Sequence, residues 1–256
     1  MSNTATVLAF DFGASSGRAI RAVYDGQNLT YEEIHRFENV PIEKDGHLCW
    51  DVETLLKEIH TAIQKAGTFD SLGFDTWGVD FGLLDADGHL LANPVHYRDA
   101  RTNGKPEQAA ACMPAEELYA HTGNQIMAIN TLFQLLALQE QEPELLQKAE
   151  QILFMPDLFA ALLGAEPVCE RSIASTSQML DPRTGQWSRE VLTAYGLKEN
   201  HFAPLVASGT VTGTLTTGAK IIAVAGHDTQ CASAAMPCAE EDAEHTAFLS
   251  CGTWSL

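Results

Sequence analysis

The sequence predicts an α/β domain built on a mixed sheet with an inserted helical layer. Three observations carry this: apolar runs broken by turn residues over 6–38, a helical apolar spacing from Val52 to Ala66, and a mainly helical text over 105–163. With 256 residues and 45% hydrophobic content, the chain can bury a large core.

Taken in order, Thr6 to Asp11, Arg18 to Tyr24 and Leu29 to Phe37 read as three strands. Asp25-Gly26 turns the last two into a hairpin, so the start is an antiparallel meander. Asp51 then opens a helix in which Val52, Leu55, Leu56, Ile59, Ala62, Ile63 and Ala66 share a face, and Gly67 stops it. Leu72 to Asp75 and Val79 to Leu84 read as two more strands interrupted by Thr76-Trp77-Gly78, which makes the sheet mixed. In the helical layer, Pro143 starts one helix and Met155-Pro156-Asp157 introduces another over Leu158 to Leu163.

Residues 164–220 are rich in Gly, Thr, Ser and Pro and read as loops with short helices. Ile221 to Ala225 is a buried strand with His227-Asp228 at its end, the alanine-rich run Ala232 to Ala235 begins a helix, and Thr246 to Leu249 reads as a final strand.

Fifteen Lys and Arg against 34 Asp and Glu give a formal charge of -19, which argues against nucleic acid and anionic membranes as partners. The six cysteines form no C-x-x-C pair and read as reduced thiols. The N-terminus lacks a signal-peptide pattern and no segment has the length of a membrane span, so the expected location is the cytoplasm.

The chemistry concentrates in a few turns. Asp11 to Arg18 follows an apolar run with small residues; Gly13 and Gly17 permit backbone angles closed to other residues, so main-chain N–H groups could converge on a phosphate, with Asp11 facing its metal. A plain hairpin is the competing reading. Gly213 to Gly218 has Walker glycine spacing but lacks the Lys-Ser/Thr pair, so a loop or hairpin is expected there. Asp228 can serve as general base toward a hydroxyl or as a helix N-cap. His227 can bond a substrate oxygen or be structural. Trp77 beside Gly78 offers a sugar-stacking face or is core, and Arg98 and Arg101 either pair internally or reach a ligand.

Five segments in one order, Asp11 to Arg18, Asp75-Thr76-Trp77-Gly78-Val79-Asp80-Phe81, Tyr97 to Thr102, His227-Asp228-Thr229 and Ser250 to Leu256, resemble the FGGY family of sugar kinases. The Asp-Thr-Trp-Gly-Val-Asp-Phe segment resembles the subgroup acting on L-rhamnulose.

The resemblance implies a ribonuclease H-like, actin-like lobe over 1–244, with 245–256 beginning a second, ATP-binding lobe that holds the adenine pocket. It implies ATP contacts at Ala14, Ser15, Ser16, Gly17, Arg18 and Thr253, sugar contacts at Trp77, Gly78, His227, Asp228 and Thr229, and Asp228 as proton acceptor. Mg²⁺ would bridge the phosphates near Asp11. The implied reaction moves the γ-phosphoryl of ATP to the 1-hydroxyl of L-rhamnulose; alternatives are another ketose, such as L-fuculose or D-xylulose, or a lobe that binds sugar without catalysis.

Cys251 departs from the family's Ser-Ser-Gly-Thr. A chain ending at Leu256 is expected to bind ATP poorly, and its last strand, if left as an edge, to favour self-association.

Overall fold

The computed structural model describes residues 4–251. The meander comes first: β1 (Ala5–Phe12), β2 (Ser16–Tyr24) and β3 (Leu29–Glu38) pair antiparallel in sequence. Asp25 sets the β2–β3 turn, because its Oδ1 accepts the N–H groups of Gln27 and Asn28. After a short hairpin of β4 (Ile42–Lys44) and β5 (His47–Cys49), α1 (Val52–Ala66) begins at Asp51, whose carboxylate accepts the Thr54 N–H and hydroxyl. Gly67, at φ +66°, ends it.

Next, β6 (Ser71–Thr76) lies parallel to β1, and β14 (Lys220–Ala223) lies parallel to β6. With β13 (Thr210–Thr214) on the far edge, the main sheet runs β13-β14-β6-β1-β2-β3 and is mixed, as expected. Gly213 to Gly218 falls in the β13–β14 hairpin and its connection.

The helical layer consists of α2 (Lys105–Ala109), α3 (Ala115–Thr122), α4 (Thr131–Gln141), α5 (Pro143–Lys148) and α6 (Met155–Leu162). It contains a strand that its text does not announce, β8 (Gln151–Phe154), which pairs antiparallel with β7 (Phe81–Leu84) away from the main sheet. Leu8, Phe10 and Phe12 alternate onto the buried face of β1, where Phe12 stacks on Phe159 of α6 and Phe10 on Phe74.

Residues 164–220 hold more strand than expected. Beside α7 (Arg171–Ala174) and α8 (Arg189–Ala194) they form β9 (Cys169–Glu170), β10 (Leu180–Asp181), β11 (Gln186–Trp187), β12 (Leu205–Val206) and β13. Most are two residues long, below the length at which alternation shows. α9 (Asp228–Ala234) follows β14, and a 3₁₀ segment spans Glu240–His245.

Two expectations are corrected. Val79 and Asp80 are not strand; they form a tight turn before β7. Thr246 to Leu249 is not a strand either. No described neighbour offers it a ladder, and Phe248 and Leu249 are exposed. The strand invoked for self-association is therefore absent from the described residues. Thr253 lies outside the described residues. Among the described residues, no helix is long and apolar enough to cross a membrane.

Candidate active site

Parallel pairing brings the chemistry together. Asp11 stands opposite Asp75 in the β1–β6 register, and Thr76 at the end of β6 bridges to His227, with its N–H donating to Gly226 O at 2.9 Å. The ends of β1 and β6 and the connection from β14 to α9 thus deliver Asp11, Asp75 and Asp228 to one edge, the position where open α/β sheets bind ligands.

A cavity of about 630 Å³ opens there, lined by Asp11, Gly13, Ala14, Trp77, Gly78, Val79, Gly123, Asn124, Gln125, Met127, Ile129, Asn130, Ser175, Thr176, His227, Asp228 and Thr229. That volume suits a sugar. A hollow of about 340 Å³ between α4–α5 and Gly196–Phe202 has no comparable set of carboxylates.

Asp228 is the first residue of α9; His227 is its N-cap and gives no side-chain cap. Asp228 Oδ1 accepts the N–H and hydroxyl of Thr229 at 2.6 and 3.2 Å, while Oδ2 takes no hydrogen bond from the described residues. The carboxylate is oriented by one oxygen and free at the other. Burial holds the His227 imidazole below its ordinary pKa, against the opposing charges of Asp228 and Glu170, so the ring is neutral at neutral pH.

Burial first, then the charges of Asp11 and Asp228, push Asp75 up to about 8. Cys231 Sγ donates to Ala225 O at 2.9 Å, and burial followed by the charge of Asp75 pushes this thiol up to about 12, which makes it inert. Asp11 Oδ2 accepts both Nε and Nη2 of Arg18, its cross-strand partner, at 2.8 and 2.6 Å. Arg18 is therefore engaged by Asp11.

With Asp75 holding its proton at neutral pH, Asp11 and Asp228 are the carboxylates that suit a hard cation, because Mg²⁺ commonly takes one or two carboxylates and fills its octahedron with water and phosphate oxygens. They do not close into a cage. Among the described residues only Asp85, Asp87 and His89 bring three such ligand atoms within 4.8 Å, and there Asp85 serves a surface turn by accepting the N–H groups of Asp87 and His89.

The turn expected to hold phosphate is the tip of the β1–β2 hairpin, with Gly13 N–H bonded to Ser16 O at 2.8 Å. Neither Gly13 nor Gly17 has positive φ, which corrects the conformational argument for them. Gly17 is needed because a Cβ there would overlap the Phe37 ring. Of the residues implied for ATP, Ala14 lines the cavity; Ser15 is exposed, and Ser16, Gly17 and Arg18 run into β2.

The opposite wall is a γ-turn of the rarer, positive-φ kind. Asp80 N–H closes on Gly78 O at 2.9 Å with Val79 at φ +68°. Val79 N–H donates to Thr176 Oγ1 at 3.0 Å, and Val79 O accepts the Thr131 hydroxyl at 2.7 Å. A Cβ on Gly78 would stand 3.0 Å from the His227 ring and 3.1 Å from the Thr176 methyl, so glycine is what lets this wall approach His227.

Trp77 is mostly core. Its ring packs on Trp50 and its Nε1–H donates to Asp80 Oδ2 at 3.0 Å, which leaves only part of it facing the cavity. Arg101 pairs internally with Gln134, and Arg98 lies over the Tyr97 ring. Glu170, Thr176 and the 123–130 segment escaped the sequence reading. A carboxylate following the apolar pair Val168-Cys169 was the one available signal.

Over residues 6–234 the sequence matches the N-terminal domain of the FGGY family of carbohydrate kinases. The chain belongs to that family. It is 41% identical to a rhamnulokinase of Bacteroides thetaiotaomicron over 97% of this chain and 53% of that protein, so it spans about half the length of this curated relative. Among solved structures, the gluconate kinase of Lactobacillus acidophilus superposes with a TM-score of 0.76 at 17% identity, covering 87% of this chain and 48% of that one. The glycerol kinase of Plasmodium falciparum, solved with ADP, gives 0.71 at 16%, covering 89% and 49%. The mixed α/β fold is the one these two solved kinases share with the chain.

Proposed function

We propose that this FGGY domain is the sugar-binding lobe of a kinase that transfers the γ-phosphoryl group of ATP to the 1-hydroxyl of L-rhamnulose. One observation carries the reading: Asp228 lines a sugar-sized cavity together with His227 and Gly78 and keeps one carboxylate oxygen free of hydrogen bonds from the described residues.

In the reaction, Asp228 accepts the proton of the sugar hydroxyl as that oxygen bonds to the γ-phosphorus, and the bond from phosphorus to the β–γ bridging oxygen breaks to release ADP. Neutral His227 and the main chain at Gly78 hold the ketose so that this hydroxyl meets Asp228. Ala14 and Ser15 offer main-chain N–H groups to the phosphates, and a second lobe beginning near residue 245 would contribute Thr253. A Mg²⁺ ion near Asp11, when bound, would neutralise phosphate charge.

The relationship to a rhamnulokinase supports the choice of sugar. Val79, Met127 and Ile129 in the lining suit the methyl group of a 6-deoxyketose, a group that L-rhamnulose shares with L-fuculose and D-xylulose lacks.

The test is phosphorylation of L-rhamnulose, L-fuculose and D-xylulose by the protein as its gene encodes it, beside Asp228→Asn. L-rhamnulose is expected to be the preferred substrate, and Asp228→Asn to lower turnover by about 10²- to 10⁴-fold while sugar binding persists. If calorimetry shows sugar binding but none of the three sugars is phosphorylated, the site is a binding lobe and the kinase reading is wrong.

A further inference from the structure

The kinase reading, on which this inference rests, needs Asp228 held at a fixed place relative to the Gly78 wall. Asp228 itself follows Gly226 and His227 in a connection beyond β14, tied to the sheet by the bridge from Thr76 to Gly226 and His227. We propose that Glu170 is a positioning residue for Asp228, acting through Gly226, Ser172 and His227.

Glu170 is almost fully buried, at 1% exposure. Its Oε2 accepts from Ser172 N–H (2.9 Å), the Ser172 hydroxyl (2.6 Å), Ile173 N–H (3.2 Å) and Gly226 N–H (3.0 Å), and its Oε1 accepts from the Ser208 hydroxyl (2.7 Å). Three of these bonds are an ordinary cap on α7. The bond to Gly226 is different: it crosses 56 residues to the chain two positions before Asp228.

Ser172 extends the tie, because its hydroxyl oxygen accepts His227 N–H at 3.4 Å. Gly226 is wedged, since a Cβ there would meet Pro156 at 2.9 Å and Ile173 at 3.2 Å, while its carbonyl accepts Thr76 N–H. The same short segment supplies Thr176, whose hydroxyl oxygen holds Val79 N–H. Residues 170–177 therefore fasten both walls of the cavity, with Glu170 on the side of the base and Thr176 on the side of the γ-turn. Charged acceptors make such bonds strong, and a small displacement of a base is felt in the chemical step before it is felt in binding.

The experiment compares wild type with Glu170→Gln and Ser172→Ala in the protein as its gene encodes it. It reads kcat and KM for L-rhamnulose, sugar affinity by calorimetry, and amide hydrogen exchange at Gly226 and His227. Glu170→Gln is expected to lower kcat by about 100-fold with KM and sugar affinity changed less than about threefold. Exchange at Gly226 should accelerate, and Ser172→Ala should show the same pattern at smaller size.

An unchanged kcat, a loss carried only by KM, or unaltered exchange at Gly226 overturns the proposal. If Glu170→Gln does not fold, Ser172→Ala decides by the same criteria. If wild type phosphorylates no sugar, the kinase reading has failed, and the exchange data still report whether Glu170 holds Gly226.

Discussion

The cavity is bounded by two turns built in opposite ways. The Gly13–Ser16 turn is the tip of a regular hairpin, relaxed in its angles and tied down by Asn39, whose N–H bonds Ser15 O and whose Nδ2 bonds Gly13 O. The Gly78–Asp80 turn holds a β-branched residue at φ +68°, pinned by Thr131, Gln134 and Thr176 from distant segments. A conformation of that kind costs about 1–3 kcal/mol and persists only where its surroundings over-determine it. A polyphosphate can be gripped by main-chain groups on a simple loop. A sugar that must meet one carboxylate oxygen needs a wall whose position is fixed, and the strain is what that position costs.

The largest expected effect lies on the strained side. Buried Asp80 accepts from Trp50 Nε1 (2.6 Å), Gln134 Nε2 (2.8 Å), Trp77 Nε1 (3.0 Å) and Tyr97 N–H (3.2 Å). Asp80→Ala takes the acceptor from the Trp50 and Trp77 indole N–H groups, each worth about 1–3 kcal/mol when left unsatisfied, so urea unfolding should show a loss above about 2 kcal/mol, together with loss of sugar binding. Asn39→Ala, its counterpart in the relaxed turn, should cost about 1 kcal/mol. Equal costs would break the contrast.

Burial, opposed by these four hydrogen bonds, still pushes the Asp80 carboxyl up to about 6. The folded state therefore binds this proton more tightly than the unfolded chain. The corresponding stability is complete below an unfolded pKa of about 3.8 and is lost as pH rises through 6, a slope that Asp80→Asn should remove.

A smaller effect separates the two glycines of the relaxed turn. Gly17→Ala must displace the buried Phe37 ring and should cost about 1–3 kcal/mol in thermal or urea unfolding. Gly13→Ala meets only Ser16 O at 3.2 Å and should cost less than about 1 kcal/mol. The reverse order would mean that the glycines serve the backbone angles of a phosphate loop after all.

The same contrast explains what the sequence could show. The meander, α1 and the β14-to-α9 connection were legible because each is long enough for period 2 or 3.6 to repeat and each carries its own punctuation, such as Asp25, Asp51 and Gly67. Asp11, Gly78 and Asp228 were legible because they stand at the ends of such runs. The γ-turn was not: Val79-Asp80-Phe81 reads as the start of a strand, and the partners that hold Val79 otherwise are 52–97 residues away. Glu170 was hidden for the same reason, since its decisive bond is to Gly226 and its local text looks like loop. Short two-residue strands gave no period to read.

The finest test concerns the strain itself. Ordinarily, replacing Ala by Gly costs about 0.5–1 kcal/mol, because glycine has more unfolded-state freedom to lose. At Val79 the order should invert. Val79→Ala and Val79→Gly both discard a buried isopropyl group and keep the main-chain bonds to Thr176 and Thr131, so nearly all that separates them is the positive φ. Glycine adopts φ +68° without penalty and alanine does not, so urea unfolding should find Val79→Gly more stable than Val79→Ala by about 1 kcal/mol. Calorimetry should then find sugar bound more weakly by Val79→Gly, because a turn that is no longer forced into one conformation must be ordered on binding. An alanine variant at least as stable as the glycine variant would show that the turn carries no strain. The two walls would then differ only in which residues hold them.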